Sequence, residues 1–189
     1  MLISKDSDLI FLYPSRFLSQ GVPSLAADNR LSPGRAYLVV ILWIGANEMK
    51  FSLGAPEHGW VNLTITDNEY CLEENISDVP NDFIDDTMIA LSRLLTYEDK
   101  QLVHLSLEPA FYVMSLARKA NAFTMTMETE GSDSDGISHQ ADGSFEEIIL
   151  PIYSSVKGFC NSRINDYHWP EVDQKNYRNM VETVTRHKS

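Results

Sequence analysis

Val61-Asn62-Leu63-Thr64-Ile65-Thr66 alternates apolar and polar side chains without a break, the cleanest pattern in the chain. Successive side chains of a β-strand point to opposite faces, so Val61, Leu63 and Ile65 are expected inside and Asn62, Thr64 and Thr66 outside. The same logic extends in both directions. Asp67-Asn68 reads as a turn, and Tyr70 to Leu72 as a short return strand. Upstream, Met49, Phe51 and Leu53 alternate with polar neighbours, and Gly54 to Gly59 breaks the run. Ala36 to Ile44 is apolar throughout and rich in β-branched and aromatic residues, as in a central strand buried on both faces.

After Asp78 the period becomes helical. Asp78 and Asn81 are cap candidates and Pro80 suits a helix start. Asp82, Asp85 and Asp86 fall in the first turns, where carboxylates meet the positive end of the helix dipole. Ile84, Met88, Leu91 and Leu95 recur on one face. Alternation then returns at Val103, Leu105 and Leu107. Phe111 to Leu116 and the alternating Phe123, Met125 and Met127 make 111–129 a hairpin, turning at Arg118 to Asn121.

Gly131 to Gly143 reads as a polar loop. Ser144-x-x-Glu147 is a capping-box pattern, but Pro151 would interrupt a helix begun there. Phe145 to Leu150 is therefore expected as a strand, with a new helix from Pro151 to about Ile164. After Trp169-Pro170, a last helix sets Tyr177, Met180, Val181 and Val184 on one face.

Strands joined by short turns are usually antiparallel neighbours. The expected fold is α+β: a mostly antiparallel curved sheet with helices packed on one face. The 189 residues suit a single domain. It would comprise an irregular arm over 1–35 that includes a short strand at Leu9 to Tyr13, a sheet with one inserted helix over 36–150, and helices over 151–189.

Fifteen basic against twenty-seven acidic residues give a net charge of −12 and a pI near 4.7. Nucleic-acid binding rests on Lys and Arg neutralising phosphates, so it is disfavoured, and anionic membrane with it. A basic protein would be drawn in. No secretory signal is expected at the start, and the longest apolar run is too short to span a bilayer. Cys71 and Cys160 fit no CxxC or zinc spacing and are expected as free, buried thiols in a reducing compartment, so the expected location is the cytoplasm.

Three constellations invite a catalytic or metal reading. His104, Ser106 and Glu108 share one strand face, but side chains standing in parallel do not converge as a triad must, and no Gly-x-Ser-x-Gly elbow accompanies them. Asp166, His168, Glu171 and Asp173 lack zinc-site spacing and read as a corner between helices, with Asp173 as a cap. Asp133-Ser-Asp135-Gly136 is a fragment of a calcium loop that would put Gly131 where a carboxylate is needed. No glycine-rich phosphate cradle occurs. No metal or cofactor is therefore expected. Trp43, Trp60 and Trp169 read as core residues.

The carboxylates themselves are unevenly placed. Asp67 to Asp99 carries ten of them against Arg93 alone, and Glu128 to Glu147 carries seven against no Lys or Arg. Asp78, Asp82, Asp85, Asp86, Glu128, Glu130, Asp133, Asp135 and Asp142 are the candidate partner-binding residues.

Residues 36–165 carry a characteristic layout. A strand pair with Trp60-x-Asn62-Leu63-x-Ile65 precedes the acidic helix from Asp78 to Leu95. Leu105-x-Leu107-Glu108-Pro109-x-Phe111-Tyr112 then leads into the second hairpin. This layout resembles small immunity proteins of bacterial contact-dependent inhibition and other polymorphic toxin systems. The resemblance implies a cytoplasmic inhibitor without catalysis of its own, which binds a cognate toxin domain, often a basic nuclease. The competing expectations are a small hydrolase-like enzyme, which needs a pocket where His and carboxylates converge, and a structural or regulatory subunit, which needs a large exposed apolar patch.

Overall fold

The computed structural model describes residues 49–68, 70–97, 99–130 and 139–188. The expected strands at 9–13 and 36–44, Trp43, and the candidates Asp133 and Asp135 lie outside them.

The alternating stretches form the strands they predict. Lys50–Leu53 (β1), Trp60–Asp67 (β2) and Tyr70–Ser77 (β3) are followed by helix Phe83–Thr96 (α1). Lys100–Ser106 (β4), Phe111–Lys119 (β5), Ala122–Glu130 (β6) and His139–Gly143 (β7) complete, among the described residues, a seven-stranded antiparallel sheet in sequential order. Helices Leu150–Asn161 (α2) and Gln174–Lys188 (α3) follow the sheet. The fold is α+β, with a curved sheet that does not close.

Val61, Leu63 and Ile65 are fully buried, and so are Val103, Leu105, Met114, Leu116, Met125 and Met127. Ile84, Met88 and Leu91 of α1 join them from the helix side, along with Leu95. Each such side chain contributes about 1.5–3 kcal/mol of transfer free energy when buried. This continuous apolar layer is what holds sheet and helices together. β2 begins from a tight turn in which His58 and Gly59 both have positive φ (56° and 81°), and Glu57 and Trp60 exchange backbone hydrogen bonds. That geometry matches the right-handed twist of the flanking strands.

Several local expectations are corrected. β3 extends to Ser77 rather than stopping at Leu72, because pairing with β2 through Trp60↔Ser77 carries it past a polar run that breaks alternation. His139–Gly143, expected as loop, is an edge strand held by its ladder to β6; Ala141 is its one buried residue. Phe145–Ile149, expected as a strand, is a π-helical turn that leads directly into α2. The Ser144–Glu147 capping box forms in both directions. Pro151 does not interrupt the run because it falls in the first turn of α2, just after the wider turn closed by Leu150 N–H on the Phe145 carbonyl. α2 ends at Asn161, short of Ile164.

Candidate functional site

Directly paired residues on antiparallel strands share a face, so the ladder alone maps the side of the sheet turned away from the core. Across β4, β5 and β6 its rows read Ser106–Phe111–Glu130, His104–Val113–Glu128, then Leu102–Ser115–Thr126, the last continued by Gln140 on β7. The next row is Lys100–Ala117–Thr124–Asp142. Glu128, Glu130 and Asp142, predicted from charge alone, thus stand on one surface. Phe111 and Val113 are half-buried between His104 and the two glutamates, and Leu102 is 53% exposed. Among the described residues Glu128 and Glu130 have no hydrogen-bond or ion-pair partner. Asp142 is held by Thr124 Oγ1 (2.5 Å) and Gln140 Nε2 (2.6 Å), and these bonds lower its pKa.

A groove of about 660 Å3 opens at the end of this face. Pro80 and Asn81, in the link from β3 to α1, form one wall, and His104, Pro109 and Phe111 form the other. Ser106 and Glu108 also line it. The walls are tied together: Ser77 Oγ donates to Glu108 Oε1 at 2.5 Å and accepts from the Val79 N–H at 3.1 Å. The link matters because β3 and β4 pair only at Ser77↔Ser106 among the described residues. The Val79–Pro80 and Glu108–Pro109 peptide bonds are both cis, and Glu108 sits at φ 40°, a region that non-glycine residues seldom occupy. The His104 ring lies 5.5 Å from that of Phe111, tilted by 59°.

His104, Ser106 and Glu108 therefore do reach one concavity, but not as a relay. Ser106 is buried, no hydrogen bond joins it to His104, and the Glu108 carboxylate is engaged by Ser77.

The acidic start of α1 is put largely to structural use. Asp82, rather than Asp78 or Asn81, is the N-cap, accepting from the N–H groups of Ile84 (3.0 Å) and Asp85 (3.3 Å). Burial raises its carboxyl pKa against the lowering effect of those bonds, and Asp85 and Asp86 add to the rise. Asp85 accepts both contacts from Asn176 Nδ2 of α3, at 2.9 and 3.1 Å. Asp86 is also raised, by burial first and Asp85 second, while nearby His104 pulls it back. Asp78 lies against the Gly59 turn, where a Cβ on Gly59 would come within 3.0 Å of its Oδ1.

The 166–173 segment is a corner, as its spacing implies. Asp166 accepts from Gly59 N (2.8 Å) and His168 N (3.0 Å), and Asp173 accepts from Lys175 N and Asn176 N at the start of α3. These bonds lower both carboxyl pKa values. No group of three or more His, Cys, Asp or Glu among the described residues is placed to hold a metal ion. Trp169 is core, wedged edge-on between Phe83 and Phe159, whereas Trp60 is only half-buried. Cys71 corrects the expectation of a buried thiol: it is exposed, because its pairing with Thr66 turns it to the polar face. Cys160 is partly buried, and burial pushes its thiol up to about 11, with Asp82 and Asp85 adding to the rise.

One polar cluster involves no constellation singled out from the sequence. Inside the curl of the sheet, the Tyr70 ring stacks on His139 of β7 (3.7 Å, 1°), and His139 Nε2 lies 3.3 Å from Asp67 Oδ2 without the alignment of a hydrogen bond. Tyr112 Oη reaches Glu74 at 3.5 Å. Burial, then Tyr112, Cys71 and Glu74, push the Tyr70 phenol up to about 12. The signal was the break in alternation at Glu73-Glu74, which places Glu74 on the inward side opposite Leu63.

Comparison with known protein families, with curated proteins and with solved structures gives no match to this chain. Among the described residues no helix is long and apolar enough to cross a membrane. The class that fold and site define is an α+β protein with a seven-stranded meander whose outer face carries unpaired carboxylates around an apolar centre.

Proposed function

We propose that this chain is a non-catalytic inhibitor of the immunity-protein kind, which binds a basic toxin domain through the outer face of β4 to β7. One observation carries the reading. Glu128 and Glu130 stand unpaired beside half-buried Phe111 and Val113 on a surface that no helix covers among the described residues. Unneutralised carboxylates repel one another, and a cationic partner relieves that repulsion. The apolar centre supplies burial, while the charged frame supplies orientation and speed of encounter. A nuclease active site, built to attract phosphate, is the kind of surface such a face complements. Such an inhibitor acts in the cytoplasm and needs no cofactor. The layout of residues 36–165 points to the same class.

The test is direct. The reading expects a toxin domain encoded beside this gene; that domain, inactivated at its active site, is titrated against the purified chain. The expected result is a one-to-one complex whose association rate falls about tenfold or more between roughly 0.01 M and 0.15 M salt. Glu128→Lys with Glu130→Lys should slow association at low salt and flatten that dependence. If no complex forms, or if the double reversal leaves the rate unchanged, this reading is wrong.

A further inference from the structure

The groove beside the acidic face has a chemistry of its own, and it deepens the reading above, on which it rests. Its walls are mostly apolar: Pro80, Pro109, Ala110 and the Phe111 ring. Two carboxylates frame that ring. Glu130 is the direct cross-strand partner of Phe111, which puts their Cβ atoms about 4.5–5.5 Å apart. Glu108 lines the groove from the β4–β5 turn, with one oxygen held by Ser77 and its orientation thereby set. His104 flanks the ring from the next row. Among the described residues no Lys or Arg forms an ion pair with Glu108 or Glu130.

An apolar slot, an aromatic face and two unneutralised carboxylates together describe what an arginine side chain needs. The methylene stem packs on proline and alanine, the planar guanidinium lies on the ring, and its fork of N–H donors meets the carboxylates. Lysine fits less well. Its compact, strongly hydrated ammonium gains little from a flat ring and cannot donate to both acids in one plane. We propose that this groove is the anchor pocket for an arginine side chain of the basic protein partner. The net charge of −12 and the acidic rows beside the groove favour that occupant over an apolar peptide or a second copy of this equally acidic chain.

The experiment needs no toxin. Blocked N-acetyl-arginine methylamide is titrated into the labelled full chain and followed by NMR, with the lysine compound and the neutral isostere citrulline alongside. Arginine should shift the His104 and Phe111 ring signals and the Ala110 and Glu130 amides along one saturable curve. Lysine should bind several-fold more weakly, and citrulline should leave these signals unmoved. Glu108→Gln and Glu130→Gln should each weaken arginine binding about threefold to tenfold. Phe111→Ala should abolish the difference between arginine and lysine. The glutamine variants keep the test decisive if Phe111→Ala does not fold. Equal shifts from citrulline, shifts that map away from the groove, or no shift at about 10 mM ligand would each overturn the pocket. A chain that takes arginine here but ignores the neighbouring toxin overturns the toxin reading alone. A chain that binds the toxin with this groove silent overturns the pocket alone.

Discussion

Asp82 joins two opposed effects in one side chain. As N-cap it satisfies two backbone donors of α1, yet burial and the neighbouring carboxylates make its charge costly. Asp82→Asn keeps an acceptor of nearly equal capping quality and removes the charge, so at neutral pH its stability should match or exceed the parent's. Asp82→Ala removes the acceptor and should lose about 1 kcal/mol. The pH sign follows from the raised carboxyl. The folded state holds this proton more tightly than the unfolded chain, so this residue's contribution to stability grows as pH falls from neutrality through the folded pKa. Urea unfolding at stepped pH should show the parent gaining on Asp82→Asn as pH falls; parallel profiles would refute the assignment. At this scale the carboxylates are not equivalent. Asp82 and Asp85 are spent on holding α1 and α3, whereas Glu128 and Glu130 are free.

Among the elements, the junction from β7 into α2 departs furthest from local expectation. Gly143, the capping box and the π-helical turn act together: a Cβ on Gly143 would come within 2.9 Å of the Glu147 Cβ, so the glycine makes room for the cap. Further along α2, Gly158 is exposed and a Cβ there would meet nothing within 4 Å. Gly158→Ala should therefore stabilise the protein by about 0.5–1 kcal/mol through reduced freedom of the unfolded chain. A thermal midpoint that does not rise would show that this end of α2 is not helical in solution. Within α3, Met180 and Val184 are buried and Tyr177 and Val181 pack at the rim, as the periodicity requires.

For the whole molecule, the decisive feature is curvature. The sheet bends until β7 meets the β2–β3 turn, where His139 stacks on Tyr70 and approaches Asp67. That contact joins residues 69 positions apart in sequence but leaves the sheet open. His139→Ala should cost about 0.5–1.5 kcal/mol and speed amide exchange in β7 more than in β4 or β5. Uniform exchange across the three strands would show that the contact does not hold the edge. Curvature also turns the outer rows of β4 to β6 into a continuous surface and brings the groove to its margin.

Sequence alone sets the period of β1, β2, β4, β5 and β6, the stripe of α1, the cap at Asp173, and an antiparallel α+β meander. These rest on local alternation and on short connections, which act within a few residues. It also marked Glu128, Glu130 and Asp142 by charge. Tertiary structure decided what no local pattern could. β7 exists because β6 offers it a ladder, not because His139-Gln140-Ala141-Asp142-Gly143 has strand character. Phe145–Ile149 forms a π-helical turn rather than a strand, and Pro151 falls in the first turn of the helix it leads into. That Asp85 is bound followed from the docking of α1 against α3. The groove arose only when the β3–α1 link was tied through Ser77 to the β4–β5 turn, 31 residues away. Hydrogen bonds and packing between distant segments set these features, and their partners are not neighbours in the chain.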